Sequence, residues 1–172
     1  KSSPNFEAPG DAGGNNVYDV KVTASDGTLS SSKDVAITVV NANDAPTASA
    51  VIANQSINED AGFSFAVPAS SFADADAGDS LTLSATLADG SPLPAWLSFN
   101  PATQTFSGTP LNDDVGAINI RVTATDTSGA SATQDFQVTV NNTNDAPVIT
   151  SSGAASFAEN AAGTVYTAAA TD

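Results

Sequence analysis

Apolar and polar residues alternate along several short stretches of this chain, which is the pattern of half-buried β-strands. In the first part, the alternation covers Tyr18 to Ala24 and Val35 to Val39, with the turn signal Asp26-Gly27 between them. It predicts two half-buried strands joined as a hairpin, which alone is marginally stable. Residues 1–16 are rich in Gly, Asn, Pro and Asp and are predicted to form a loop.

The middle of the chain predicts an antiparallel β-sandwich. It shows seven short apolar runs separated by turn signals, and no helical period of comparable strength. The predicted strands are Val51 to Ile57, Phe63 to Val67, Leu81 to Leu87, Pro94 to Phe99, Thr105 to Gly108, Ile118 to Ala124 and Phe136 to Val140.

The tetrapeptide Asn-Asp-Ala-Pro occurs twice, at residues 43–46 and 144–147. Each copy follows a predicted strand, and its proline favours extended backbone in the residue before it. The two copies are therefore interpreted as linkers between domains.

The repeat extends beyond the linkers. Residues 20–27 match residues 121–126 at an offset of 100, and residues 57–62 match residues 157–163 at nearly the same offset. A fixed period of about a hundred residues is typical of tandem repeats. It predicts the C-terminal part of one domain at 1–44, a complete domain at 45–146 and the N-terminal part of a third at 147–172. In the third part, strands are predicted at Val148 to Phe157 and Thr164 to Ala169.

The composition narrows the possible partners. The chain has 19 acidic and 4 basic residues and a net charge of −15, so its surface repels nucleic acid and anionic membranes and attracts cations. It has no Cys and no His, which excludes disulfides and removes the usual zinc, copper and iron ligands. A secreted bacterial protein tolerates that absence of disulfides.

Three stretches carry a resemblance to a known family: residues 93–101, 106–110 and 122–126. The middle of the chain resembles a cadherin-like repeat, most closely the dystroglycan-type cadherin-like, immunoglobulin-like module of large bacterial surface proteins. The resemblance implies a seven-stranded Greek-key β-sandwich, a tandem rod with partial flanking domains, and calcium bound between domains. It further implies adhesion or carbohydrate binding, outside the cell or at its surface.

The resemblance also implies which residues bind calcium. Those of the linkers are Asn41, Asn43 and Asp44, and again Asn142, Asn144 and Asp145. Those of the domains are an acidic residue after the first strand, an Asp-x-Asp loop, the acidic end of an Asp-Arg-Glu element and a strand-ending Asp. They correspond to Glu59, Glu159, Asp74, Asp76, Asp172, Asp114, Asp26 and Asp126.

The chemistry of these residues favours the same interpretation. Calcium prefers carboxylate, amide and backbone oxygens, which this set supplies. The first linker position carries Asn, and a later one carries Ala instead of Asn, so one or two ions are expected at each linker rather than three. The alternative is that Asp, Asn and Gly are there because turns favour them.

The leading hypothesis is a calcium-stiffened structural or adhesive repeat, with calcium, neighbouring repeats and other copies of the chain as partners. The alternative is a module that binds polysaccharide, with Trp96 as a stacking platform, although a tryptophan in a strand is more often core. An accessory domain of an enzyme is a third possibility.

The chain itself is not expected to be an enzyme, because no His can activate Ser or Thr and Asp74 with Asp76 is more typical of a metal site. The two end fragments are expected to associate between copies, since neither can cover its own apolar face.

Overall fold

The structure, a computed structural model, describes residues 3–156, 158–159, 162–164 and 166–171. Its described residues form β-strands and two short 3-10 turns, Ala69–Ser71 and Asn112–Asp114. The strands are β1 Val17–Ser25, β2 Ser30–Thr38, β3 Thr47–Ala48, β4 Gln55–Asn58, β5 Phe63–Ala66, β6 Phe72–Ala73, β7 Thr82–Leu87, β8 Leu97–Asn100, β9 Thr105–Gly108, β10 Gly116–Thr125, β11 Ser131–Asn141, β12 Val148–Ile149 and β13 Ala170–Thr171. In the described part of the chain, no helix is long and apolar enough to cross a membrane.

The middle of the chain is a sandwich of two sheets, which confirms the predicted fold. One sheet has the order β4-β11-β10-β7 and the other the order β5-β9-β8. The chain passes back and forth between them, so sequential strands often lie in different layers. One pair, β4 with β11, is parallel, whereas the other pairs within the two sheets are antiparallel.

The core lies between these two sheets. Phe106 is fully buried at its centre, with its ring 4.6 Å from that of Phe99 and 5.6 Å from that of Phe136. The inward residues of β10 are also buried, as their alternation with polar residues predicts. Trp96 packs edge-on against Phe63 at 6.2 Å and lies against the core, as expected for a structural tryptophan.

The first predicted strand of the sandwich is shorter than expected. Val51 is 86% exposed, and the strand begins only at Gln55. A separate pair, β3 with β6, forms before it. The segment between β3 and β4 buries Ile52 in the core and is held by Gln134, whose side-chain amide donates to the carbonyl of Ala50 and to that of Ser71 in the first 3-10 turn.

The hairpin β1–β2 forms in the predicted place, but its predicted half-burial is wrong. The apolar residues Val20, Val22 and Ile37 are 40%, 58% and 52% exposed. Their equivalents in β10 and β11 are covered by the sheet β5-β9-β8, and within the described residues no such sheet lies over the hairpin.

The strands predicted after the second linker are also corrected. In the described residues, pairing is confined to β12 with β13. The described residues of 164–169 are not in a strand, and the partner of β12 begins only at Ala170. Because β12 starts 101 residues after β3 and pairs in the same antiparallel sense, the β12–β13 pair repeats the β3–β6 pair.

Candidate functional site

The linker at the start of the middle domain, residues 41–46, is the upper linker. Two buried carboxylates hold it against the middle domain. Asn41 Nδ2 donates to Asp76 Oδ1 at 2.7 Å, and the backbone N–H of Asp44 donates to Asp76 Oδ2 at 2.8 Å. Asn43 Nδ2 donates to Asp126 Oδ2 at 2.9 Å. Asp76 and Asp126 are only 8% and 6% exposed, so the middle domain fixes the positions of both carboxylates that the linker contacts.

A second group of carboxylates surrounds Asp76 in the loop between β6 and β7. Carboxylate oxygens of Asp74, Asp76 and Asp79 all lie within 4.8 Å of one another. The backbone N–H of Asp76 donates to Asp74 Oδ1 at 2.9 Å, and Thr127 Oγ1 donates to Asp79 Oδ1 at 2.8 Å. The remaining oxygens, Asp74 Oδ2 and Asp79 Oδ2, are buried without a hydrogen-bond partner. They are therefore available to a cation.

Two members of this candidate site, Asp79 and Glu7, were not predicted from the sequence. Glu7 lies within 4.8 Å of Asp44 and Asp76, in the loop before β1. Its position in the repeat is the feature that could have identified it, because Glu7 precedes β1 as Asp114 precedes β10. The different separations hide the match, because β1 begins ten positions after Glu7, whereas β10 begins two positions after Asp114. Asp79 could have been found as a further acidic residue of the Asp-x-Asp loop.

The lower linker, residues 142–147, is held by Glu59. This carboxylate is 2% exposed. Its Oε1 accepts hydrogen bonds from Asn142 Nδ2 at 3.1 Å and from the backbone N–H of Thr143 at 2.6 Å. Its Oε2 is buried and has no partner. Asp145 lies nearby, where its Oδ2 accepts a hydrogen bond from Asn112 Nδ2 at 3.1 Å.

The other predicted ligands are placed as follows. Asn144 lines a cavity with Asp145, Asn142 and Asn112, and its side-chain amide donates to the Asp145 carbonyl at 3.1 Å, as Asn43 does to Asp44. Asp114 accepts the N–H of Leu111 and so caps the adjacent 3-10 turn.

Two predicted ligands, Asp26 and Glu159, are not brought into either set, and a third cannot be placed. Asp26 accepts the N–H groups of Thr28 and Leu29 in the hairpin turn. Glu159 is exposed, and Asp172 lies outside the described residues.

Within the part of the chain that the structure describes, no basic side chain forms an ion pair with the buried carboxylates of the two linkers. The two ion pairs found among the described residues are Lys21 with Asp34 and Arg121 with Asp135, both on the strands. Hydrogen bonds from amide groups therefore stabilise the charged form of these carboxylates. For Asp126, the bond from Asn43, together with backbone N–H groups of the following turn, lowers the pKa of the carboxyl against the opposing effect of burial.

We expect Asn43→Ala to raise the pKa of Asp126 toward its ordinary value, because the largest stabilisation of the charged form is lost. A carboxyl with a lowered pKa keeps its contribution to stability above its unfolded pKa and loses it as pH falls through the folded pKa. The wild-type contact should therefore survive to lower pH than the variant. Carbon-13 NMR of the Asp126 carboxyl measures this, with Asn144→Ala, in the other linker, as the matched control. An unchanged pKa in Asn43→Ala would contradict the assignment.

A β-sandwich of this strand order, with its acidic residues gathered where the chain enters and leaves, is a cadherin-like or immunoglobulin-like module. Residues 45–141 match the family described as Putative Ig domain, and the chain belongs to that family. Domains of this class are usually not enzymes. No curated protein matches the chain.

Cadherin domains in two solved structures have the same fold. The cadherin domains 1–4 of protocadherin gamma B7 match with a TM-score of 0.59 and 24% identity, over 88% of this chain and 37% of that one. Domains 1–2 of human protocadherin-24 match with a TM-score of 0.54 and 15% identity, over 84% and 71%. An endo-fucoidan hydrolase of glycoside hydrolase family 107 matches with a TM-score of 0.46 and 22% identity, over 75% of this chain and 19% of the hydrolase. The chain thus spans well under half of the first and third of these proteins.

Proposed function

We propose that this chain is a calcium-binding repeat that stiffens a large extracellular bacterial protein and serves adhesion between cells or at a cell surface. The observation that carries the proposal is the set of buried carboxylates at the linkers, Glu59, Asp76 and Asp126, none of which forms an ion pair with a basic side chain of the described residues. A buried charge without a counter-charge is costly, so buried carboxylates are normally paired or bound to metal. A divalent cation meets that need at each linker.

The upper linker has the more complete set of oxygens. Glu7, Asp44 and Asp76 form one group, and Asp74, Asp76 and Asp79 form another. Calcium takes roughly six to eight oxygens with flexible geometry, and the Asn side chains, backbone carbonyls and water complete such a set. Because Asp76 belongs to both groups, two ions that share its carboxylate fit this linker.

The lower linker is proposed to bind calcium more weakly. Glu59, Asp114, Asn142, Asn144 and Asp145 come from the middle domain and the linker itself. Two groups of three close carboxylates lie at the upper linker, whereas the described residues form no such group at the lower one.

The domain boundaries proposed are 1–44, 45–146 and 147–172. The β1–β2 hairpin repeats β10–β11, with equivalent residues paired in the two registers, and β12–β13 repeats β3–β6. Calcium then acts between consecutive domains, and the neighbouring repeats are its main partners. Other copies of the chain are the proposed adhesive partner. Polysaccharide binding has less support, because Trp96 packs against the core.

Calcium titration tests the proposal. Extracellular calcium modules bind with dissociation constants of about 10⁻⁴–10⁻³ M. At a hundredfold excess over the dissociation constant, one ion would add about 2.7 kcal/mol to the free energy of unfolding. We expect heat of binding by calorimetry and a higher melting temperature in calcium than in chelator.

The matched variant is Glu59→Gln, which keeps a side-chain oxygen to accept the hydrogen bonds of the lower linker and removes the negative charge of residue 59. It should lose the weaker part of the binding heat and retain the stronger part. If the wild-type chain gives no heat and the same melting temperature in chelator, the calcium proposal is refuted.

A further inference from the structure

One residue on the inward face of β11 is polar where the period of two predicts an apolar side chain. The inward residues Phe136, Val138 and Val140 are buried and apolar. Gln134 lies two positions before Phe136, so it faces the same side of the sheet. A polar residue at a core position breaks the local pattern, and such breaks are expected where a residue serves function.

The side-chain amide of Gln134 bonds to two separate segments of the chain. Its Nε2 donates to the carbonyl of Ala50 at 3.0 Å and to the carbonyl of Ser71. Its Oε1 accepts the N–H of Ile52 at 3.4 Å. Ser71 and Ile52 are almost fully buried, so water has little access to the groups that Gln134 satisfies. Glutamine suits this position because its amide supplies two donors and an acceptor, whereas a carboxylate would set oxygen against the two carbonyls.

The two segments lead directly into the two halves of the candidate site at the upper linker. Residues 49–52 follow β3, and β3 follows the linker residue Asp44. Ser71 precedes β6, which leads into the loop that carries Asp76. The pairing of β3 with β6 continues beyond these strands, because the N–H of Ser49 donates to the Ser71 carbonyl at 2.9 Å. At the other end of the pair, the N–H of Asp44 donates to Asp76 Oδ2 at 2.8 Å.

We propose that Gln134 is a positioning residue for the upper linker: it holds the segments that carry Asp44 and Asp76 side by side, so that their oxygens are preorganised for a cation. Strands β3 and β6 have two residues each, and so short a pair is marginally stable by itself. The three hydrogen bonds of Gln134 fasten this pair to β11. The effect on cation affinity rests on the proposed function, whereas the effect on the position of Asp44 does not.

Amide hydrogen exchange measured by NMR tests the positioning in the full chain, in chelator. Gln134→Met keeps the length of the side chain and removes its three hydrogen bonds. The amides of Ser49 and Asp44 should then exchange at least about tenfold faster, because each lost hydrogen bond weakens the local closure. The increase should exceed any change in the amides of the β10–β11 ladder, which report on the domain as a whole. The matched control is Gln137→Met, the same change on the opposite face of β11, and it should leave both amides at the parent rate.

A second variant, Gln134→Glu, keeps the shape of the side chain but lacks its donors, and it should act in the same way. Parent-like exchange of the Asp44 amide in both Gln134 variants would overturn the inference. So would equally fast exchange in Gln137→Met.

Calcium titration of the same proteins separates this inference from the proposed function. Gln134→Met should lower the calcium affinity of the upper linker by about threefold to tenfold, as changes around a ligand shell do, and leave the lower linker unchanged. If the parent chain binds no calcium but the Asp44 amide exchanges faster in the variant, the positioning stands and the calcium proposal is refuted. Parent-like calcium affinity in a variant with a faster Asp44 amide would overturn the role of Gln134 in preparing the cation site.

Discussion

Asp76→Asn is expected to lower the calcium affinity of the upper linker more than any other single substitution there. Asp76 belongs to both groups of carboxylates, Glu7–Asp44–Asp76 and Asp74–Asp76–Asp79, and is almost fully buried. Asparagine keeps the shape but removes the charge and one of the two coordinating oxygens. We expect a loss of at least about tenfold, equivalent to about 1.4 kcal/mol of binding free energy.

Calorimetric titration of the full chain measures this loss. The control is Asp19→Asn, which removes the same charge from an exposed position on β1. Its effect should be small, because solvent and salt screen an exposed charge. Equal affinities for the two variants would show that net charge, and not the linker geometry, attracts calcium.

Gly108→Ala is expected to destabilise the middle domain severely. Gly108 lies at the end of β9, where it is paired with Phe63 on one side and Leu97 on the other. A Cβ at this position would overlap the carbonyl oxygen of Trp96 and lie 2.9 Å from its carbonyl carbon. These atoms belong to the backbone, which cannot rotate away as a side chain would. Forced overpacking typically costs about 1–3 kcal/mol, and a backbone clash belongs at or above the top of that range.

Urea unfolding followed by far-ultraviolet circular dichroism measures the cost of Gly108→Ala. The matched control is Gly62→Ala, in a turn where an added Cβ meets nothing within 4 Å. There we expect no loss, and a gain of up to about 1 kcal/mol from the less flexible unfolded chain. If Gly108→Ala unfolds at the wild-type urea concentration, the close approach of Trp96 is not a constraint on the fold.

Long alternating stretches could be predicted from the sequence, and pairs of short strands could not. The inward residues of β10 and β11 form a clear period of two, and both strands appear where that period predicts them. Strands β3 and β6 are two residues each. They exist because distant segments meet at the edge of the sandwich, and a two-residue strand is too short to show a period.

The repeat located some residues of the candidate site, such as Asp44 and Asp76, but not others, such as Glu7. The linker motif located Asp44 and the Asp-x-Asp loop located Asp76, because both signals are local. Glu7 approaches them only because of the path that residues 8–16 take before β1, and loop length erases such a signal. Asp26 was placed in the site because it matches Asp126. However, Asp126 bonds to Asn43 in the linker that precedes its own domain, whereas Asp26 bonds to Thr28 and Leu29 within its own hairpin turn.

The parallel pairing of β4 with β11 determines how the domain carries tension. These are the first strand of one main sheet and the last strand of the domain, and four residue pairs join them from Val138 with Gln55 to Asn141 with Asn58. A pull on the two linkers draws β4 toward the upper end and β11 toward the lower end. The strands must then slide past each other, so their hydrogen bonds are strained together instead of opening one at a time. A stretching force on several such domains in series would therefore be opposed by shear between β4 and β11 in each domain.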